Sequence, residues 1–215
     1  MIYDTSLDGI QDKVLAGERI ESAEALRLYR ALTLPELGAL ADAVRRRKHP
    51  DNRVTYIIDR NINYTNICNV YCTFCAFMRE EKDDDSYVLT KEQVGAKIQE
   101  LVNIGGVQIL MQGGHHPKLG IDYYLELLRY TRRQFPQVNI HGFSPPEFTH
   151  FAEVFQLPVE EVIRQFKDAG LGSIPGGGGE ILVDKVRKRI APLKCSGQQW
   201  LHVMEVAHEI GRAHV

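Results

Sequence analysis

The segment that decides the fold of this chain runs Asn66-Ile-Cys-Asn-Val-Tyr-Cys-Thr-Phe-Cys-Ala-Phe77. It contains three of the chain's 4 cysteines, Cys68, Cys72 and Cys75, in a Cys-x-x-x-Cys-x-x-Cys pattern, and Phe74 directly precedes the last one. Three thiolates on one short loop can hold three irons of a cubane cluster and leave the fourth iron open to bind a small molecule. Clusters used only for electron transfer usually have four cysteine ligands. The spacing therefore predicts an iron–sulfur cluster with an open position.

A structural zinc site is the main alternative, because such sites also use cysteine pairs. A zinc site of this kind closes with four ligands, and the remaining cysteine is Cys195, far along the chain. A disulfide framework is disfavoured, since 4 cysteines in 215 residues without a secretory signal indicate a reducing compartment. The pattern favours the cluster over zinc.

Composition indicates an ordinary globular protein. The chain has 215 residues, of which 44% are hydrophobic, and its formal net charge is -2. The absence of a basic surplus argues against a nucleic-acid partner, and no apolar run is long enough to cross a membrane. We therefore expect a cytoplasmic protein that binds neither nucleic acid nor membrane.

The first part of the chain is predicted to be helical. Residues 22–32 carry apolar side chains at helical spacing, and a second helix begins after Thr33, where Glu36 completes a capping box. The basic run at residues 45–48 suits a helix C-terminus, which disfavours its use as a nucleic-acid patch. These patterns predict an N-terminal helical segment over residues 1–52.

From residue 53 onward, short apolar segments alternate with amphipathic helices. The pattern predicts strands near 54–62, 107–111, 138–143 and 171–174, and helices over 90–103, 122–135, 158–169, 183–190 and from 196 onward. Such alternation is typical of parallel strands joined by right-handed crossovers. The expected fold class is α/β, with about four βα units of a partial TIM-like (β/α) barrel over residues 53–209.

The C-terminal residues do not continue this pattern. The helical spacing of Trp200, Val203 and Ala207 is cut off without a cap or a polar ending. We therefore predict that residues 210–215 are a non-native tail and that the chain is truncated within its barrel. Sequencing across the 3′ end of the gene tests this.

Unusual loops follow the predicted strands, at the ends where the chemistry of such barrels is found. After the second strand, Gly113 and Gly114 allow close backbone approach to a ligand. Adjacent histidines rarely bind one metal ion, so of His115 and His116 we expect the second to hydrogen-bond the substrate or a residue beside it.

The loop after the third strand is stiffened by two adjacent prolines and carries polar groups on both sides of them. His141 and Glu147 are candidate catalytic proton acceptors, and Ser144 can offer a hydroxyl to a ribose or to the substrate. An ordinary rigid loop is the alternative for each of them.

A glycine run precedes Glu180 after the fourth predicted strand. It lacks the Gly-Lys-Ser/Thr ending of a P-loop, so nucleotide phosphate binding of that kind is excluded. Arg187, Arg189 and Lys194 are candidate partners for a carboxylate, although a solvated helix face is expected for most of them.

The cysteine spacing resembles the signature of the radical S-adenosylmethionine (radical SAM) superfamily. The resemblance implies that the three thiolates bind a [4Fe-4S] cluster and that S-adenosylmethionine chelates the fourth iron. One electron from a donor such as flavodoxin or ferredoxin then releases a 5′-deoxyadenosyl radical, which abstracts hydrogen from the substrate. Cofactor contacts are implied for Tyr71, Phe74, Gln112, Gly113, Gly114, Ser144 and Glu180. His115 stands where the superfamily often has Glu, so a carboxylate contact is not expected there.

Longer segments resemble the radical enzymes of futalosine-dependent menaquinone synthesis and their deazaflavin-cofactor relatives. They lie at residues 59–68, 75–77, 112–117, 143–147 and 173–180. Within that subgroup they resemble the enzymes that cyclise dehypoxanthine futalosine, which implies a small nucleoside-like substrate. Aminodeoxyfutalosine synthase, the tyrosine-cleaving half of deazaflavin cofactor synthesis and a non-enzymatic metal-binding module are the alternatives.

Overall fold

A computed structural model describes residues 7–51 and 53–211 of the chain. The chain divides into two compact units, and the division falls between Tyr56 and Ile57. Among the described residues, no helix is long and apolar enough to span a membrane.

Over residues 7–51, the structure of the N-terminal unit shows three helices, α1 (Asp8–Ala16), α2 (Ser22–Ala31) and α3 (Leu34–Lys48). Helix α1 was not predicted. The two predicted helices are confirmed, including the capping box in which the Thr33 amide donates to the Glu36 carboxylate over 2.7 Å. A small core stabilises the unit, formed by Leu7, Ile10, Leu28 and Leu40.

The C-terminal unit contains a parallel sheet of β1 (Asp59–Asn63), β2 (Gln108–Gln112) and β3 (Asn139–Gly142), in that order. Helix α4 (Lys91–Asn103) connects β1 to β2, and α5 (Ile121–Gln134) connects β2 to β3. Four helices follow: α6 (Pro145–Phe155), α7 (Val159–Ala169), α8 (Asp184–Ile190) and α9 (Gly197–Ile210). The predicted α/β class with parallel strands is confirmed.

The sheet has one apolar and one polar face because side chains alternate along each strand. Ile62, Ile109 and Met111 are buried in the main core. On the opposite face, Asn61, Leu110 and His141 are paired neighbours across the three strands. Beyond the strand ends the core is aromatic: the ring centres of Tyr124 and Phe151 are 4.5 Å apart, and those of Phe143 and Phe166 are 5.0 Å apart. This packing holds the carboxyl ends of β1, β2 and β3 together.

Two predicted strands are shorter than expected. The first begins at Asp59, five residues after the predicted start. The fourth, near residues 171–174, forms a single parallel bridge between Ser173 and His141. Pro175, two residues after Ser173, has no N–H to donate, so the pairing does not continue.

The loop predicted after the third strand is largely a helix. Helix α6 begins at Pro145, with Ser144 as its N-cap. Both prolines lie in its first turn, where the missing N–H groups have no helical partner in any case. The two prolines therefore start a helix that carries Glu147 in its first turn.

Helix α9 has a defined end. Gly211 caps it with a positive φ of 77°, and its amide donates to the carbonyls of Ala207 and His208. The expectation of an uncapped helix is therefore wrong. Residues 212–215 of the predicted non-native tail lie outside the described residues, and the tail stays a prediction.

Candidate functional site

The three motif cysteines open on one cavity of about 300 Å³ beyond the carboxyl ends of the strands. Strand β1 leads into the cysteine loop, β2 into Gly113 and Gly114, and β3 into the start of α6. The following predicted site residues line this cavity: Cys68, Cys72, Cys75, Phe74, Gln112, Gly113, Gly114, Ser144, Glu147 and Glu180. The fold thus brings together side chains that are up to 112 residues apart in the chain.

Backbone hydrogen bonds hold the cysteine loop in place. The Cys68 amide donates to the Arg79 carbonyl over 3.1 Å, and the Cys75 amide donates to the Cys72 carbonyl over 3.1 Å. Thr73 donates both its amide and its hydroxyl to the carbonyl of Ile190, at 2.8 and 3.0 Å. The loop is therefore fixed from within and by the end of helix α8.

Burial raises the pKa of the Cys68 thiol, while the amides of His115 and Val70 act in the opposite direction. Burial also raises the pKa of Cys72, and the nearby Lys194 ammonium opposes this. A bound metal reverses this balance, because coordination favours the thiolate. Three thiols around one cavity, with Cys195 outside its lining, fit an iron–sulfur cluster with one open position. In the described part of the chain, no three His, Cys, Asp or Glu side chains are grouped as ligands of a single metal ion.

Gly114 has to be glycine because it packs against the cysteine loop. A Cβ at this position would lie 2.2 Å from the Ile67 carbonyl oxygen and 3.0 Å from the Cys68 Cβ. The Gly114 amide donates to the Thr65 carbonyl over 2.9 Å. Close backbone approach thus serves to bring the loop after β2 against the first motif cysteine.

Glu147 joins the ends of all three strands. Its side chain is buried, with 2% of the residue exposed. Its Oε1 accepts hydrogen bonds from the Tyr64 hydroxyl (2.7 Å) and the Gly113 amide (3.0 Å). Its Oε2 accepts a hydrogen bond from the Ser144 hydroxyl (2.6 Å). Burial raises the pKa of Glu147 to about 7, with the hydrogen bonds from Ser144, Tyr64 and Gly113 acting in the opposite direction. Glu147 therefore links the chain segments that follow β1, β2 and β3 beside the cavity.

Of the residues predicted to be catalytic or to contact the cofactor, His141 and Tyr71 do not line the cavity, and neither does His116, which was expected to hydrogen-bond the substrate or a residue beside it. His141 lies on the polar face of β3, with its Nδ1 2.7 Å from the Ser173 hydroxyl. Tyr71 is 46% exposed, and its hydroxyl is 3.4 Å from a Glu80 carboxylate oxygen. The structure thus separates the two candidate proton acceptors, Glu147 and His141.

The two adjacent histidines have different surroundings. His115 lines the cavity and is buried, with its ring 4.8 Å from that of His150. Burial lowers the pKa of His115 to about 3, so its ring is neutral. The His116 carbonyl lies 3.0 Å from His150 Nε2. His116 Nδ1 accepts a hydrogen bond from the Lys118 amide. Both residues therefore help to shape the loop after β2.

The basic residues after the glycine run were only partly anticipated. Arg189 is exposed, as expected for a helix face, but Arg187 is 3% exposed. The Lys194 side chain is 11% exposed, lines the cavity, pairs with Glu180 over 3.0 Å and lies 5.5 Å from the centre of the Phe74 ring. A solvated face is therefore the wrong interpretation for Arg187 and Lys194.

Several other cavity residues were not predicted, among them Asn61, Asn63 and Thr65. Their signal was present in the sequence, because polar residues alternate there with Ile62 and Tyr64. Such a period of two places all three on the same side of the chain. Lys194 was predicted as a possible partner for a carboxylate, but its place in the cavity had no local signal, since it reaches the cavity from a loop between α8 and α9.

The model of the radical SAM superfamily matches residues 62–215. The chain belongs to this superfamily. The chain is 44% identical to the cyclic dehypoxanthine futalosine synthase of Halalkalibacterium halodurans over 96% of its own length and 56% of that relative. It is 38% identical to the aminodeoxyfutalosine synthase of Thermus thermophilus, over 98% of this chain and 56% of that relative.

Solved structures agree on the fold. HydG, a maturase of the [FeFe]-hydrogenase, superposes with a TM-score of 0.73 over 95% of this radical SAM chain and 44% of its own, at 17% identity. Because the identity is only 17%, this structural similarity is evidence for the barrel-type fold alone. The radical SAM chain described here spans about half the length of the curated relatives it matches.

Proposed function

We propose that the complete protein is a radical SAM enzyme in which Cys68, Cys72 and Cys75 hold a [4Fe-4S] cluster beside S-adenosylmethionine. The observation that carries this proposal is that all three thiols open on a single cavity at the carboxyl ends of the strands. When bound, the cluster and S-adenosylmethionine supply a hydrogen-abstracting 5′-deoxyadenosyl radical.

The remaining cavity residues position the reactants. Gly114 lets the loop after β2 approach Cys68, and Glu147 fixes that loop through the Gly113 amide. Beside the cysteine loop, close enough for its charge to act on the Cys72 thiol, Glu180 is paired with Lys194 and offers a carboxylate for a nucleoside hydroxyl. The cavity thus combines thiols that can bind metal with hydrogen-bonding groups, as a nucleoside-containing cofactor requires.

For the substrate, we propose dehypoxanthine futalosine, which the enzyme cyclises in menaquinone synthesis. The 44% identity to a relative with the corresponding name supports this choice. Hydrogen abstraction at the ribose C4′ allows that carbon to add to the benzoate ring of the same molecule. Ring closure would then release one proton and one electron. The abstracted hydrogen atom ends in 5′-deoxyadenosine and the electron replaces the one used to cleave S-adenosylmethionine, so the product is two hydrogens lighter and no further oxidant is needed. Because the acceptor ring is tethered, the reaction is intramolecular, which lowers its entropic barrier.

The aminodeoxyfutalosine synthase reaction is the second candidate. The 38% identity over nearly the whole chain supports it. The two reactions differ in their substrates, so one preparation can distinguish them.

The test uses the product of the complete gene, reconstituted anaerobically with iron and sulfide. It is incubated with dithionite, S-adenosylmethionine and dehypoxanthine futalosine, and mass spectrometry measures 5′-deoxyadenosine and product. We expect both compounds, and neither in Cys72→Ala; Cys195→Ala, which removes a thiol outside the cavity lining, should keep its iron.

Three results would contradict the proposal in different ways. Formation of 5′-deoxyadenosine without product would overturn the substrate and leave the radical chemistry. Product formation only from the aminodeoxyfutalosine synthase substrate would support the second candidate. Bound zinc with no cluster absorbance in anaerobically purified protein would favour a metal-binding module.

A further inference from the structure

Arg187 is a buried cation that donates most of its hydrogen bonds to backbone carbonyls, and one from Nη2 to the Cys195 sulfur at 3.9 Å. It is 3% exposed, and its Nη1 donates to the carbonyls of Gly179 (2.6 Å) and Ile181 (3.0 Å). Its Nε and Nη2 donate to the carbonyl of Cys195 at 3.1 and 2.9 Å. A planar guanidinium can make these bonds at once because its donors point in fixed, divergent directions.

The two shortest of these bonds from Nη1 go to the residues on either side of Glu180, and a longer one, 3.4 Å, goes to the Gly178 carbonyl. Glu180 itself has a φ of +39°, a left-handed conformation that a residue with a Cβ adopts only when its surroundings enforce it. Its carboxylate is not hydrogen-bonded to Arg187, since the nearest oxygen is 3.9 Å from Nη1, whereas Lys194 lies at 3.0 Å. Arg187 thus acts on the backbone of Glu180, and Lys194 acts on its side chain.

We infer that Arg187 is a positioning residue that presets Glu180 for the nucleoside of S-adenosylmethionine. The Cys195 contact closes the chain from residue 187 to residue 195 around this point, which also places Lys194 beside Glu180. The inference rests on the proposed function, because it assigns Glu180 to the cofactor. Lysine cannot replace Arg187, since one ammonium nitrogen cannot reach carbonyls on both sides of Glu180 and that of Cys195.

Limited proteolysis of the wild-type protein by a glutamate-specific protease, without S-adenosylmethionine, is the first test. We expect slow cleavage after Glu180 before any cofactor is added, since Arg187 holds the carbonyls on both sides of this residue. Fast cleavage that becomes slow only with the cofactor would overturn the inference without any substitution. The Arg187→Lys protein should be cleaved faster after Glu180, whereas Arg189→Lys, an exposed change two residues away, should not.

Cofactor affinity is the second test, measured by equilibrium dialysis of the reconstituted complete gene product. We expect Arg187→Lys and Glu180→Gln each to weaken S-adenosylmethionine binding by about tenfold. The double variant should bind no more weakly than Glu180→Gln alone, because Arg187 acts through Glu180. Iron content should stay equal to that of Arg189→Lys.

The outcomes separate this inference from the proposed function. If the wild-type protein takes up iron but does not bind S-adenosylmethionine, the proposed function fails. If the wild-type protein binds and Arg187→Lys binds equally well, only the inference fails. The inference would also be overturned if the double variant lost affinity for S-adenosylmethionine by the product of the two single-variant factors. Such a result would indicate a general structural role for Arg187.

Discussion

Replacement of Glu147 by Gln should change how the stability of the protein depends on pH. In the folded state burial raises the pKa of Glu147 from an ordinary value of 4.5 to about 7. The folded protein therefore binds this proton more tightly than the unfolded chain does. It follows that the free energy of unfolding decreases as the pH rises from about 4.5 to about 7, and levels off above that range.

The size of the effect follows from the same two values. The difference between pKa values of 4.5 and about 7 corresponds to about 3 kcal/mol, of which about 2.5 kcal/mol falls between pH 5 and pH 8. Glutamine does not titrate, so the variant lacks this contribution. The free energy of unfolding of the wild type minus that of Glu147→Gln should decrease by this amount over the range.

Chemical denaturation of the metal-free protein at closely spaced pH values measures this difference. Glu161→Gln is the control, because it makes the same chemical change at an exposed carboxyl on helix α7. The decrease worked out for Glu147→Gln should not be reproduced by this control. A Glu147→Gln difference that is constant with pH would refute the reasoning, and would mean that the three donated hydrogen bonds offset the burial of the carboxylate.

Three further substitutions test individual contacts. Gly114→Ala should destabilise the protein by about 1–3 kcal/mol and lower its iron content on reconstitution, because the added methyl meets the Ile67 carbonyl; normal iron content and melting temperature would contradict this. Tyr64→Phe removes a donor from the buried Glu147 and should lower the free energy of unfolding by about 1–3 kcal/mol, and an unchanged denaturation midpoint would argue against it. Thr33→Ala should speed hydrogen exchange in α3 by an amount equivalent to about 1 kcal/mol while leaving α9 unchanged, since the capping box is local.

Sequence patterns predicted best the features that depend on near neighbours in the chain. The capping box predicted at Thr33 is present, because it involves residues only three positions apart. The cysteine spacing predicted the superfamily for the same reason, since its three thiols lie on one short loop. The parallel strands followed from the alternation of apolar segments and helices, although the fourth predicted strand proved to be a single bridge.

The sequence did not reveal how distant residues support the site. Glu147 was predicted as a proton acceptor, but its surroundings show that it also ties Tyr64, Gly113 and Ser144 together. Arg187 lies in a basic run typical of an exposed helix, and its neighbour Arg189 is indeed exposed. Only the path of the glycine-rich loop, whose carbonyls surround Arg187, distinguishes the two.

The sequence by itself thus determined the chemistry that the chain carries: three thiols at a spacing suited to a cluster, and the succession of strands and helices that presents them. The tertiary structure decided which distant side chains complete the cavity and which charges are buried. The physical reason is that caps and motif spacings depend on local geometry, whereas burial, pKa and hydrogen-bond partners such as those of Glu147 and Arg187 depend on chain segments that meet only in the folded protein.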